Sequence, residues 1–376
     1  MQTTQFDLPS GFIDLGLGDP QISLLPLELI HRAAEERLSL KDREFLQYGS
    51  TQGDGTFRQS LANFLSRAYG LHADPRSIFI TSGASMGLHL ICTLFTSPGD
   101  TIFIEEPTYF YALRIFADHH LHLVPIQTDQ DGLMIGSLEE QLSRFHPKLL
   151  YLIPTFQNPT GQTLPAERRK RLAELCQKND ILLVADEVYH LLSFSGQPPE
   201  PIAAQVDAGN VISLGSFSKI LAPGLRLGWL QASGEIIQRC MTCGLLESGG
   251  GLNPFTSAIV NRVIESNGLE QNIVKLISIY RDRAAVMESL LRQHLPGCDF
   301  TPPLGGYFYW LRLPEGVTAD ALQLRAQDLK VGFRPGRLFS SQGGMENFIR
   351  LSYVFYEPDK LELGVLRIKQ CLESSA

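Results

Sequence analysis

Five short, largely apolar runs, each followed by polar or glycine-rich residues, constrain the fold of this chain most strongly. The runs are 77–80, 101–104, 149–153, 181–185 and 211–214. Apolar runs of this length predict strands covered on both faces, and the stretches between them predict helices. The sequence therefore predicts an α/β fold with a mostly parallel sheet between helices. Because such sheets bind ligands beyond the carboxyl ends of their strands, the polar residues after the runs predict a ligand site.

The chain changes character after the fifth run. A long helical region is predicted over 255–292, and a terminal helix over 358–373. Between them, short apolar runs alternate with turns at 306–311, 331–333 and 348–353. This pattern predicts a smaller α/β domain that the N-terminal segment joins in space. We expect a large domain over 41–285 and a small domain formed by 1–40 with 286–376.

Composition argues against several classes of protein. The chain has 376 residues and a net charge of −8, whereas a nucleic-acid-binding surface is basic. It contains no apolar run of about 18 residues, so no membrane span is predicted. Residues 1–7 lack the basic start and apolar core of a signal peptide. We therefore expect a cytoplasmic protein that binds neither nucleic acid nor membrane.

Cysteine and histidine patterns do not predict a metal site. The six cysteines are scattered and indicate thiols rather than a disulfide framework. Cys240 and Cys243 form a C-x-x-C pair without a second pair. The run 119–122 contains three histidines that would put two imidazoles on one face of a strand, but no further ligand is evident. Both patterns are interpreted as structural.

A single lysine, Lys219, lies in the segment 215–228, which contains hydroxyl side chains, glycines and Arg226. Few other charges are close in sequence. A lysine desolvated by such surroundings has a lowered pKa and becomes a usable nucleophile. The alternative is a surface lysine in a polar turn.

Small residues at 81–85 follow the first apolar run and precede a predicted helix. Such a loop presents unpaired backbone N–H groups to an anion, and phosphate suits it best. Arg226 and Ser216 would add a guanidinium and a hydroxyl to the same phosphate. The alternative is a simple helix cap formed by Thr81 or Ser82.

Three further polar residues follow apolar runs. Asp186 ends one run, where a carboxylate needs a partner or serves as a helix cap. Tyr189 is three residues further on, on the same side of a helical turn. Asn158 lies between two prolines, either as a ligand or as a turn residue.

Pyridoxal 5'-phosphate uses an amine, a phosphate site, a carboxylate, a phenol and an amide, and Tyr109 would stack on its ring.

The chain resembles the class I/II, fold type I, pyridoxal-phosphate-dependent aminotransferases along nearly its whole length. It is most similar to the branch with 2-aminoadipate, kynurenine, and aromatic or branched-chain aminotransferases. The resemblance rests on the segments 158–161 (NPTG), 186–189 (DEVY), 216–219 (SFSK), 223–228 (PGLRLG) and 350–352 (RLS). It implies a seven-stranded-type, mostly parallel sheet between helices, with a smaller α/β domain.

The resemblance also implies a role for each matching residue. Lys219 is implied as the Schiff-base lysine and proton shuttle, and Asp186 as the partner of the ring nitrogen. Asn158 and Tyr189 are implied as partners of the ring oxygen, and Tyr109 as the residue against the ring. The cofactor phosphate and its surroundings are assigned to Gly83, Ala84, Ser85, Ser216, Ser218 and Arg226.

Substrate contacts and assembly are implied in the same way. Arg350 is implied to bind the substrate α-carboxylate, beside Gly18 and Asn158. Tyr48 is implied to reach the phosphate of the neighbouring subunit, so a homodimer with shared active sites is expected. Ala84 and Ser85 stand where many relatives carry a longer polar side chain. We therefore expect more of the phosphate contacts to come from backbone N–H groups.

The implied reaction transfers an amino group from an L-amino acid to a 2-oxo acid by a ping-pong mechanism. One alternative is a carbon–sulfur β-lyase that uses the same cofactor. Another is a non-catalytic amino-acid or cofactor sensor, whose relatives carry a DNA-binding module ahead of this domain. Because the expected substrate loop begins near Gly16, no such module is expected here.

Two sequence features bear on the substrate. Ile22, Leu24 and Leu25 predict an apolar lid, hence neutral or aromatic donors. The segment 334–337 (RPGR) departs from relatives, which usually have Pro-Gly-small at this point. Its Arg337 either faces solvent or reaches an acidic substrate side chain.

Overall fold

The computed structural model describes residues 8–196 and 200–373. Residues 1–7 and 374–376 of the predicted small domain, and the stretch considered for a signal peptide, lie outside the described residues. The strands are β1 (Ile13–Asp14), β2 (Ile78–Thr81), β3 (Thr101–Glu106), β4 (His122–Asp129), β5 (Gly132–Leu133), β6 (Leu149–Leu152), β7 (Leu182–Asp186), β8 (Val211–Ser216), β9 (Gly228–Ala232), β10 (Phe308–Arg312), β11 (Val331–Gly332), β12 (Arg334–Pro335) and β13 (Phe348–Ser352).

Helices connect and cover these strands. They are α1 (Leu27–Ser39), α2 (Gly55–Tyr69), α3 (Ala84–Phe95), α4 (Phe110–Asp118), α5 (Ile135–Leu142), α6 (Ala166–Lys178), α7 (Gly234–Met241), α8 (Gly244–Gly249), α9 (Pro254–Glu265), α10 (Gly268–His294), α11 (Ala319–Asp328) and α12 (Pro358–Glu373). Within the described residues, no helix is both long and apolar enough to cross a bilayer.

The main sheet has the strand order β2-β9-β8-β7-β6-β3-β4-β5. Its central strands, from β8 to β4, pair in parallel, and the pairings of β2 with β9, β9 with β8 and β4 with β5 are antiparallel. All side chains of β2, β6 and β8 are buried, as expected for a sheet covered on both faces. The prediction of a mostly parallel sheet between helices is confirmed. The two-residue β5 makes an eighth strand beyond the seven-stranded type.

Two strands of the main sheet that are longer than two residues, β4 and β9, differ from the sequence expectation, as does one predicted helix. β4 was not predicted because half-buried and exposed side chains interrupt its apolar positions. β9 begins inside the glycine-rich segment and was also not predicted. The helical region expected over 255–292 is two helices, since Asn267 between them has a left-handed backbone with φ 56°. The histidine run does not form one strand, because α4 ends before it and only His122 belongs to β4.

The C-terminal part of the chain forms two small sheets. β13 pairs antiparallel with β10 and with β12, and β1 from the N-terminal segment pairs in parallel with β11. The N-terminal segment is thus hydrogen-bonded to the C-terminal part. The predicted boundary at 285/286 falls inside α10, a continuous helix of 27 residues. The division into domains stays a prediction.

Candidate active site

The carboxyl ends of β7 and β8 bring Asp186 and Lys219 to the same edge of the main sheet. Asp186 is the last residue of β7 and pairs in register with Leu214 of β8. Lys219 lies in the turn after β8, and its Nζ donates a 2.8 Å hydrogen bond to the carbonyl oxygen of Gly18. The same nitrogen lies 5.4 Å from the ring centroid of Tyr307. The N-terminal segment therefore closes over the lysine.

The surroundings of Lys219 change the acidity of its amine. Burial lowers the pKa of Lys219, and the positive charges of Arg350 and Arg226 also lower it. The carboxylates of Asp19 and Asp186 act in the opposite direction. An amine with a lowered pKa is unprotonated more often near neutral pH, which suits it to act as a nucleophile and proton acceptor.

Asp186 has two carboxylate oxygens in different environments. Its Oδ2 accepts a 2.9 Å hydrogen bond from the hydroxyl of Tyr151, which is fully buried in β6. Its Oδ1 is buried without a hydrogen-bond partner. Burial raises the pKa of Asp186 to about 6, and the Tyr151 hydrogen bond opposes this rise. A buried carboxylate oxygen without a partner is costly unless a ligand completes it.

Arg350 lies in β13 and is almost fully buried. Its Nη1 donates 2.7 Å to Oδ1 of Asn158, and its Nη2 donates 2.7 Å to the carbonyl oxygen of Gly16. The guanidinium carbon lies 3.9 Å from the ring centroid of Phe308 and 5.1 Å from that of Phe339. Burial lowers the pKa of Arg350 to about 10, and Nε has no hydrogen-bond partner. The guanidinium is held in a fixed position and can bind a carboxylate.

Tyr189 and Tyr109 supply aromatic surface beside these groups. Tyr189 is buried, and its ring centroid lies 5.2 Å from that of Tyr307 and 5.9 Å from that of Phe308. Tyr109 is half-buried and immediately precedes α4. Burial raises the pKa of both phenols, and the charge of Asp186 raises both further. Both phenols therefore remain protonated and able to donate hydrogen bonds.

The N-terminus of α3 and Arg226 form the other end of the site. Gly83 precedes α3 with φ 90°, and a side chain there would come within 3.0 Å of Nη2 of Arg226. The first backbone N–H groups of the helix, on Ala84 and Ser85, have no partner within it. Arg226 is exposed and donates 3.2 Å to the carbonyl oxygen of Ser82. This is an anion-binding arrangement of N–H groups and a cation.

Ser216 and Ser218 lie between the two ends of the site. Ser216 pairs in register with Gly228, two residues after Arg226. Its Oγ accepts a 3.1 Å hydrogen bond from the backbone N–H of Ser218. Tyr48 lies in the loop before α2 and is 82% exposed.

Three side chains near the site were not singled out from the sequence. Tyr151 is a phenol inside an apolar strand, and a buried phenol usually has a hydrogen-bond partner, which was the available signal. Tyr307 donates 3.1 Å to the carbonyl oxygen of Lys219. Asn253 donates 3.1 Å to Oγ of Ser82 and 2.6 Å to the carbonyl oxygen of Arg226. Only its left-handed backbone, at φ 53°, distinguishes Asn253, and the sequence does not reveal it.

Pyridoxal phosphate fits this donor set. The unpartnered Oδ1 of Asp186 suits a protonated ring nitrogen, the Lys219 amine suits an aldehyde, and the start of α3 with Arg226 suits a phosphate. Arg350 remains for a substrate carboxylate. Among the described residues, no group of three or more metal-ligand side chains is found.

Comparisons with known proteins agree with this geometry. The profile of the family described as aminotransferase class I and II matches residues 10–368. An aromatic-amino-acid aminotransferase of Thermococcus litoralis is 35% identical, over 97% of this chain and 88% of that protein. A 2-aminoadipate transaminase of Thermus thermophilus is 32% identical, over 96% of this chain and 90% of that protein. The kynurenine aminotransferase of Pyrococcus horikoshii superposes with a TM-score of 0.91 at 33% identity, over 97% of this chain and 92% of that one.

These comparisons confirm the expected branch, the fold and the cofactor. None of the three relatives named above is described as a lyase or a regulator. The chain belongs to the aminotransferase class I and II family and is a pyridoxal-phosphate-dependent enzyme of fold type I that transfers an amino group from an amino acid to a 2-oxo acid.

Proposed function

We propose that this aminotransferase takes neutral aromatic or apolar L-amino acids as donors and works as a homodimer, with Lys219 as its catalytic residue. One observation carries the assignment of Lys219 as the catalytic residue. The Lys219 amine lies within electrostatic reach of both Asp186 and Arg350, while an oxygen of Asp186 and Nε of Arg350 are buried without partners. A substrate held by its carboxylate at Arg350 would present its Cα to the lysine.

Asp186, Lys219 and Arg350 would each have a different role in the reaction. When bound, the cofactor supplies an electron sink that makes the Cα proton of the amino acid removable. Asp186, in its ionised form, would keep a positive charge on the ring nitrogen. Lys219 would accept the proton from Cα as a general base and later donate it as a general acid, as the proton shuttle of the site. Arg350 binds the α-carboxylate and fixes the orientation of Cα.

The remaining contacts follow from the same assignment. Gly18 would approach the substrate through its backbone, beside Asn158 and Arg350. Contacts to the cofactor ring and phosphate are proposed for Gly83, Ala84, Ser85, Tyr109, Asn158, Tyr189, Ser216, Ser218 and Arg226.

The charged side chains around the candidate site favour neutral donors. Arg337 pairs with Asp320 at 2.7 Å, and both side chains are half exposed, which supports the solvent-facing interpretation of Arg337. Asp19 acts electrostatically on Lys219 and would repel an acidic side chain. Ile22, which is 61% exposed, is free to cover an apolar side chain. The aromatic and kynurenine relatives are named for such donors, whereas the name of the Thermus thermophilus relative, 2-aminoadipate transaminase, refers to an acidic donor.

The assembly and compartment are proposed from the sequence expectation. A tyrosine exposed as much as Tyr48 gains a role if a second subunit lies next to it. Cys92, Cys176, Cys240, Cys243 and Cys298 are free thiols, which suits the reducing cytoplasm.

A donor panel tests the proposal. Phenylalanine, tyrosine, leucine, kynurenine, 2-aminoadipate, glutamate and aspartate would each be tried with pyruvate, 2-oxoglutarate and oxaloacetate, with Lys219→Ala as the inactive control. We expect the highest kcat/KM with neutral donors, and preference for an acidic donor would overturn the substrate class. Formation of pyruvate and ammonia from a cysteine conjugate without any 2-oxo acid would indicate the lyase instead.

A further inference from the structure

Two arginines lie directly opposite each other on neighbouring strands, at the end of the candidate site that contains Arg350. Arg334 of β12 pairs in register with Arg350 of β13. Like charges opposite each other on neighbouring strands repel. Something must therefore neutralise Arg334 if Arg350 is to attract a substrate carboxylate.

Asp14 provides that charge. Its carboxylate accepts hydrogen bonds from Nη1 of Arg334 at 3.1 Å and 3.3 Å. The Asp14 side chain is 11% exposed and that of Arg334 is 31% exposed, so water screens this pair less than a surface ion pair. The position of Asp14 is fixed further, since its backbone N–H donates 3.0 Å to the hydroxyl of Tyr356.

The same carboxylate also fixes the backbone that holds Arg350. Oδ1 of Asp14 accepts a 2.8 Å hydrogen bond from the backbone N–H of Gly16. The carbonyl oxygen of Gly16 in turn accepts the 2.7 Å hydrogen bond from Nη2 of Arg350. A side chain at Gly16 would come within 2.8 Å of Nη1 of Arg334 and 2.9 Å of Oδ1 of Asp14. The three residues leave no free space around this turn.

We propose that Asp14 and Arg334 are positioning residues for substrate recognition. Their ion pair fixes the Gly16 carbonyl that orients Arg350, and it prevents Arg334 from competing for the substrate carboxylate. The inference rests on the proposed role of Arg350 and adds the pair that makes this role selective.

Each single substitution should disturb Arg350 in a different way. Asp14→Asn leaves Arg334 as an uncompensated cation beside Arg350 and the incoming carboxylate. Arg334→Met leaves Asp14 as a poorly solvated carboxylate that attracts Arg350 away from the substrate. The double variant Asp14→Asn/Arg334→Met removes both charges and retains an amide that can accept the Gly16 N–H. The two substitutions should therefore compensate each other.

The experiment compares KM and kcat for one neutral donor in the wild type, the two single variants and the double variant. We expect each single variant to raise the donor KM by about tenfold with kcat changed by less than about threefold, and the double variant to return to within about threefold of the wild-type KM. The cofactor absorption band should be unchanged in all four proteins. A loss of folding would not produce this selective change.

Matched controls come from Arg337→Met and Asp320→Asn, which break the exposed ion pair close by in the sequence. Exposed pairs contribute little, so KM should stay at the wild-type value. The inference is overturned if both single variants keep the wild-type KM, or if the double variant shows the product of the two single effects. If Asp14→Asn does not fold, an unchanged KM in Arg334→Met overturns it. A wild type without transaminase activity would instead overturn the proposed function.

Discussion

The hydroxyl of Tyr151 donates a 2.9 Å hydrogen bond to Oδ2 of Asp186, whose other oxygen is buried without a partner. One side of the carboxylate is thus held by the protein and the other is left for a ligand. Because a phenol that donates to a carboxylate favours its ionised form, Tyr151 keeps Asp186 charged in a place where burial favours the neutral acid.

Tyr151→Phe should therefore weaken both cofactor binding and catalysis. Loss of the hydrogen bond raises the pKa of Asp186 above its value of about 6, so less of the carboxylate is ionised at neutral pH. A hydrogen bond to a charged group is worth about 1.5–3 kcal/mol, hence a decrease in kcat/KM of roughly tenfold to a hundredfold. The measurement is the pH profile of kcat/KM, whose acidic limb should move to higher pH. An unchanged profile would contradict the assignment.

The matched control is Tyr309→Phe. The hydroxyl of Tyr309 is also buried, and it donates 2.8 Å to the carbonyl oxygen of Ala284, away from the cleft. This variant should lose stability without any change in the acidic limb of the profile.

Lys219 should take up the cofactor at a rate that rises with pH. Only its unprotonated amine attacks an aldehyde, and burial lowers the pKa of Lys219 below its usual value near 10.5. The rate constant for cofactor incorporation into the apoenzyme should therefore increase with a midpoint below that value. Stopped-flow absorbance measures it, with Lys219→Ala as the variant that cannot bind covalently. A midpoint at or above 10.5 would show that the lysine is not desolvated.

Glu105 gives a prediction about stability rather than activity. It is buried at 2% exposure and accepts a 2.8 Å hydrogen bond from the backbone N–H of Ile153, yet burial raises its pKa to about 8. Between the unfolded pKa near 4.5 and about 8, the folded state holds a proton that the unfolded state has lost. Stability must then fall as pH rises through this window, by about 1.4 kcal/mol per pH unit for this group.

The test is Glu105→Gln, which keeps an acceptor for the Ile153 N–H and removes the titration. The free energy of unfolding, from urea titrations at pH 5, 6, 7 and 8, should increase steadily relative to the wild type. Other buried acids titrate equally in both proteins and cancel in the difference. Glu139→Gln, at an exposed position, is the control. A difference that is constant with pH would mean that Glu105 titrates normally.

The sequence predicts the main sheet well because its central strands are apolar on both faces. It also predicts where Asp186 and Lys219 lie, since Asp186 ends one such strand and Lys219 lies in the turn after another. It does not predict β4, whose apolar positions are interrupted by half-buried and exposed side chains, or β9, which begins at a glycine. The hydrogen-bond and ion-pair partners of side chains are harder to predict than the strands. Tyr151 and Asp186 are 35 residues apart, and Asp14 and Arg334 are 320 apart, so only the folded chain reveals those pairs.

Mixing two inactive variants tests whether the active sites are shared between subunits. If Tyr48 acts in the neighbouring site, a hybrid of Lys219→Ala with Tyr48→Ala contains one site with neither substitution and one site with both. Random reassembly at equal concentrations should then restore about a quarter of the wild-type activity, because half of the dimers are hybrids with one intact site each. Unfolding and refolding the mixture, followed by the transaminase assay, measures this. If Tyr48 serves its own subunit, every site of the hybrid carries one substitution and no activity returns, which would refute the shared site even if the protein is a dimer.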